Sequence, residues 1–95
     1  MKIVYAICRV QPEQQETFKQ IADKMVVASQ QDRGCIYYRY GKLDNQESTY
    51  VFIEHWENMA DLELHLQQPH FVENFPLIEK ILISPAEINI VDIDR

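Results

Sequence analysis

The stretch Thr49-Tyr50-Val51-Phe52-Ile53-Glu54-His55-Trp56 decides the fold of this 95-residue chain. It is rich in β-branched and aromatic residues and reads as a strand. Successive side chains of a strand point to opposite faces, so Tyr50, Phe52 and Trp56 lie on one side and Val51 and Ile53 on the other. A strand with one face in water alternates apolar with polar residues, and this one does not. Both of its faces therefore need cover.

Working outward, residues 35–42 carry Tyr37, Tyr38 and Tyr40 and read as the partner strand of a hairpin. The polar run Asp44-Asn45-Gln46-Glu47-Ser48 is the connecting loop. Residues 2–10 form a first strand that is again apolar on both sides, with Ile3, Tyr5 and Ile7 opposing Val4, Ala6, Cys8 and Val10. Between these strands, Pro12 at a first helical position and Glu13 and Glu16 in the first turn open a helix. Its stripe is Phe18, Ile21, Ala22, Met25, Val26 and Ser29, and Gly34 stops it. After Trp56, Asn58 is an N-cap, and Met59, Leu62 and Leu66 make a short helix. Pro69 restarts a helical pattern through Phe71, Phe75, Ile78 and Leu82, in which Pro76 requires a kink or a fresh start and which Pro85 ends. Residues 87–94 alternate weakly and read as the last strand.

The order β-α-β-β-α-β predicts an α+β, ferredoxin-like split βαβ fold, a single domain over residues 1–95. Both helical segments then cover one face of an antiparallel sheet, and no element is left for the other. A second copy is the simplest cover, so a homodimer with sheets packed face to face about a two-fold axis is expected.

Composition narrows the ligand classes. The net charge is −6, with fifteen acids against nine bases spread along the chain, so neither nucleic acid nor an anionic membrane is an expected partner. No apolar run approaches the roughly 20 residues that cross a bilayer, and membrane insertion is not expected. The N-terminal residues lack the apolar region and cleavage site of a signal peptide, so a cytoplasmic location is expected. Two glycines rule out a Gly-rich phosphate loop, and no C-x-x-C or H-E-x-x-H pair occurs. The two cysteines, Cys8 and Cys35, read as small buried hydrophobes. Of three histidines, strand alternation sends His55 to the face opposite Glu54, so a three-histidine metal site is not expected.

Small molecules remain as the ligand class, and the polar residues on apolar faces are the candidate site. Glu54 shares a strand face with Trp56, where a carboxylate needs a hydrogen-bonded partner, and His65 is the partner chosen. The pair is either a structural link between sheet and helix or the polar part of a pocket. His70 follows Pro69 at a helix start, where the dipole favours a neutral ring, as part of a ligand site or as a cap. Tyr38, Tyr40, Tyr50, Phe52, Trp56 and Phe71 suit either a core or the walls of a cavity for an aromatic ligand.

The run from Gly34-Cys35-x-x-Tyr38 through Phe52-Ile53-Glu54-x-Trp56 to His65-x-x-x-Pro69-His70-Phe71 resembles the antibiotic-biosynthesis monooxygenase family, which includes quinol monooxygenases. Val10-Gln11-Pro12-Glu13 also matches that family's first turn. The resemblance implies a dimeric α+β barrel. It further implies oxidation of a small phenolic or quinol substrate by molecular oxygen with no cofactor, neither metal nor flavin. In that reading His65 is the base or proton shuttle and Glu54 orients it. Trp56, Tyr38, Tyr50, Phe52, His70 and Phe71 then contact the substrate. Relatives that degrade haem use an Asn on the first strand, and residues 2–10 contain none. Relatives that modify phosphorylated signalling dicarbonyls need cations, for which Arg9 and Arg39 are the candidates. A rival of another class is a non-catalytic dimeric protein that binds a small aromatic ligand without changing it.

Overall fold

In the computed structural model, which describes residues 1–94, the expected order of elements appears, including the short helix after Asn58 and the fresh helical start at Pro69. The elements are β1 (Lys2–Arg9), α1 (Gln15–Ser29), β2 (Cys35–Lys42), β3 (Thr49–Trp56), α2 (Met59–Leu66), α3 (Pro69–Glu79) and β4 (Glu87–Asp92). The sheet order is β2-β3-β1-β4 with every neighbour antiparallel, which is the ferredoxin-like arrangement. It is split because β3 lies between β1 and β2.

Alternation sorts the two faces as the sequence predicts. Val4, Ala6 and Cys8 of β1 and Tyr50, Phe52, Glu54 and Trp56 of β3 are buried beneath the helices. The stripe of α1 meets them through Phe18, Ala22 and Met25, all essentially inaccessible. On the opposite face Tyr5, Tyr37, Ile53 and Val91 are each at least 40% exposed. They sit in register, with Tyr5 opposite Ile53 and Val91 opposite Ile3. This is the uncovered apolar layer that the sequence demanded.

Three local expectations are corrected. Pro12 opens a 3₁₀ turn, Pro12–Gln14, and α1 begins only at Gln15. The helix α3 runs through Pro76 without a fresh start. The carbonyl that Pro76 leaves without its helical donor is that of Val72, a residue 55% exposed. That helix ends at Glu79, before Leu82 and Pro85, because the chain is drawn onto the end of β1. Leu82 bridges Val10, and Ile83 N donates to Arg9 O at 2.7 Å. The Asn58 cap is as expected, its side chain accepting from Asp61 N at 2.9 Å. Among the described residues no helix is long and apolar enough to cross a membrane.

Gly34 sets the entry to β2. Its φ is +76°, and a Cβ there would run into the Asp61 side chain of α2. Two independent constraints thus require glycine, left-handed backbone and close approach. Gly34→Ala is expected to destabilise the protein by about 1–3 kcal/mol in urea unfolding, the range for strained non-glycine backbone.

Candidate active site

One polar group in the middle of the covered face is Glu54, which β3 points inward between Phe52 and Trp56. Its Oε1 accepts the Trp56 indole N–H at 3.0 Å. Burial pushes its carboxyl up to about 7, the Trp56 hydrogen bond opposing this only in part. It is therefore substantially protonated at neutral pH.

The second polar group is His65, near the C-terminal end of α2 and 1% exposed. Its Nδ1 lies 2.7 Å from Oδ2 of Asp32, in the turn between α1 and β2. Burial lowers its pKa, while the Asp32 hydrogen bond and charge pull the other way. A carboxylate only accepts, so the neutral ring carries its proton on Nδ1 and a bare lone pair on Nε2. That Nε2 is buried with no hydrogen-bond partner among the described residues.

Both groups line one cavity between sheet and helices. Its other walls include Val4, Met25, Tyr38, Phe52, Leu62, Phe71 and Phe75, with Ile88 and Ile90 of β4 at its edge. The cavity itself measures about 50 Å³ and opens towards solvent. The imidazole is gripped by aromatics, with Trp56 at 4.6 Å, Phe71 at 5.2 Å and Tyr38 at 5.4 Å between ring centroids. Burial and the neighbouring Glu54 charge raise the Tyr38 phenol well above its ordinary range, so it stays protonated.

The structure brings Tyr38, Phe52, Glu54, His65 and Phe71 to this cavity and keeps four other candidates out of its lining. Trp56 is fully buried behind Glu54 and His65. Tyr50 packs on Phe18 at 4.8 Å, and its hydroxyl donates to Gln15 Oε1, because α1 fills the space at that end of the sheet. The Tyr40 hydroxyl donates to Asp23 on α1. His70 lies outside as well, its Nε2 2.8 Å from the same Asp32 oxygen.

The pairing of Glu54 with His65 is also corrected. Glu54 bonds Trp56, two residues along its own strand, and the group that orients His65 is Asp32. Nothing in the run Gln30-Gln31-Asp32-Arg33-Gly34 marks Asp32 beyond an ordinary helix-end turn, because its role depends on contacts 33 and 38 residues away. The thiols stay inert by burial, Cys8 pushed up to about 12 and Cys35 to about 11.

This fold accords with the comparisons to known proteins. The family model for antibiotic biosynthesis monooxygenase matches residues 1–74, and the chain belongs to that family. An uncharacterized Synechocystis protein is 31% identical over 96% of the chain, which spans 62% of that relative's length. YcnE of Bacillus subtilis, whose name proposes a monooxygenase, is 26% identical over 93% of each chain. A crystal structure of a conserved Methanosarcina mazei protein superposes with a TM-score of 0.93 at 28% identity, over 95% of this chain and 89% of that one.

Glu54 makes stability depend on pH in a definite direction. Its folded pKa is raised from 4.5 to about 7, so its contribution is fully present below the lower value and is lost as pH rises through the upper one. His65, with a lowered folded pKa, has the opposite sense and loses its contribution as pH falls below 6.5. Comparing the parent with Glu54→Gln cancels the His65 part. Between about pH 5 and about pH 8 the parent should lose on the order of 3 kcal/mol relative to the Gln variant in urea titrations.

Proposed function

We propose that this protein is an oxygen-using enzyme for a small phenolic or quinol substrate, working without a bound cofactor, as a homodimer in the cytoplasm. The observation that carries this reading is the buried, unpartnered Nε2 of His65, a residue that lines an apolar cavity, with Nδ1 held by Asp32. A base that needs no desolvation on substrate arrival fits proton abstraction from a phenolic hydroxyl. Membership of a monooxygenase family supports the oxygen chemistry.

In this mechanism the aromatic ring lies between Tyr38, Phe52, Phe71 and Phe75. His65 Nε2 takes one hydroxyl proton, and Asp32 stabilises the imidazolium that forms. The quinolate is electron-rich and passes one electron to oxygen. Transfer of the second electron and the remaining proton gives the quinone, and superoxide with both protons becomes hydrogen peroxide. With a monophenol, the phenoxyl and superoxide radicals join instead to a hydroperoxide, which loses water to leave a quinone. The protonated Glu54 carboxyl, anchored by Trp56, donates a hydrogen bond to the developing carbonyl. Asp32 thus takes the orienting role expected of Glu54.

Oxygen uptake over a panel of hydroquinones tests this. His65→Ala should reduce kcat by about 100-fold or more, and Asp32→Asn by a comparable factor. A variant His65→Ala as fast as the parent refutes the mechanism, and a panel returned at its autoxidation rate favours a simple binding protein.

The homodimer reading rests on the exposed layer of Tyr5, Tyr37, Ile53 and Val91. Light scattering should give twice the 11.3 kDa chain mass. Ile53→Asp should shift the protein to monomer at micromolar concentration, since a buried unpaired charge opposes association.

A further inference from the structure

We propose that Asp32, His65 and His70 form a binding site for one divalent transition-metal ion, and that its occupancy switches His65 off as a base. Ligating atoms of the three side chains all lie within 4.8 Å of one another. One Asp32 oxygen is 2.7 Å from His65 Nδ1 and 2.8 Å from His70 Nε2. The three come from separate elements, the turn after α1, the end of α2 and the first turn of α3. Their convergence is a product of the fold.

The donor set selects the ion. Two imidazole nitrogens and one carboxylate oxygen suit zinc, cobalt, nickel or copper, whereas magnesium and calcium prefer all-oxygen shells. Metal–nitrogen and metal–oxygen bonds of roughly 2.0–2.2 Å require the side chains to move by about an ångström or less. Three protein ligands leave a fourth position for water. Side-chain exposure rises from 1% at His65 through 9% at Asp32 to 20% at His70, so the ion enters from the His70 side. The chain's net charge of −6 favours its approach.

Coordination changes both rings without changing their proton count. His65 must present a lone pair at Nδ1, so its proton moves to Nε2. His70 must present one at Nε2, so its proton moves to Nδ1. The bare, buried Nε2 thereby becomes an N–H that cannot accept a substrate proton. This consequence rests on the role proposed above for His65, and the site itself does not.

Calorimetric titration of the intact protein with zinc chloride, and cobalt(II) absorption spectra, test the site without any substrate. One ion per chain is expected. Affinity should fall more than about tenfold in Asp32→Asn and in His70→Ala and stay unchanged in His55→Ala, on the opposite sheet face. His70→Gln, with circular dichroism on each metal-free variant, guards against a folding defect. Ring nitrogen NMR should show His65 passing from an Nδ1–H to an Nε2–H tautomer on zinc addition. Absence of binding by the parent, or affinity unaffected in both His70 variants, overturns the site. A bare Nε2 in the zinc-loaded protein overturns the switch. None of these readouts depends on turnover, so failure of the oxygen reaction leaves them independent.

Discussion

Oδ2 of Asp32 ties together three parts of the chain that are remote in sequence, the turn leaving α1, the end of α2 and the start of α3. Both imidazoles reach the same atom. Their distances of 2.7 and 2.8 Å fall in the range of charge-assisted hydrogen bonds, which are roughly twice as strong as neutral ones. The carboxylate fixes the orientation and tautomer of His65, and with them the direction of the free lone pair. Gly34 serves the same junction, since only a residue without a side chain lets this turn pass so close to Asp61.

Burial acts on the two polar groups of the cavity in a complementary way. Low polarity disfavours charge of either sign, so the Glu54 carboxyl tends to keep its proton and the His65 imidazole tends to lose one. A neutral acid and a neutral base therefore face the same apolar space. Each has a fixed partner on its far side, Trp56 for the acid and Asp32 for the base. Opposed environments of this kind separate acid and base roles at one pH.

The sequence made the sheet legible because strand alternation is a local signal. The bounds of β2 and β3 follow directly from the tyrosine-rich run and from Thr49–Trp56, and the two-sided apolar pattern announces the exposed layer. The inward direction of Glu54 follows from the same parity. His65 is reachable from the sequence only as the partner that a carboxylate on the aromatic face of β3 requires. Its actual partner is not reachable, since Asp32 sits in a turn whose direction depends on how α1 packs against α3. For a related reason the sequence leaves Tyr50 open between core and cavity wall. Parity gives its face but not which helix lies above it, and Phe18 occupies that place. The end of α3 depends in turn on a bridge between Val10 and Leu82, a contact that no periodicity records.

The two faces of β3 divide labour by parity. Phe52 and Glu54 look into the cavity, while Val51, Ile53 and His55 look outward. Point substitutions can therefore retune ligand preference without touching the outer layer, and the reverse, although the residues alternate along one strand. Length changes have no such freedom. Inserting or deleting one residue within the strand exchanges the two sets at once, sending the carboxyl to the outside and isoleucine into the cavity. Divergence along this lineage should accordingly run through replacements in β3, with gains and losses of residues confined to the loop before it.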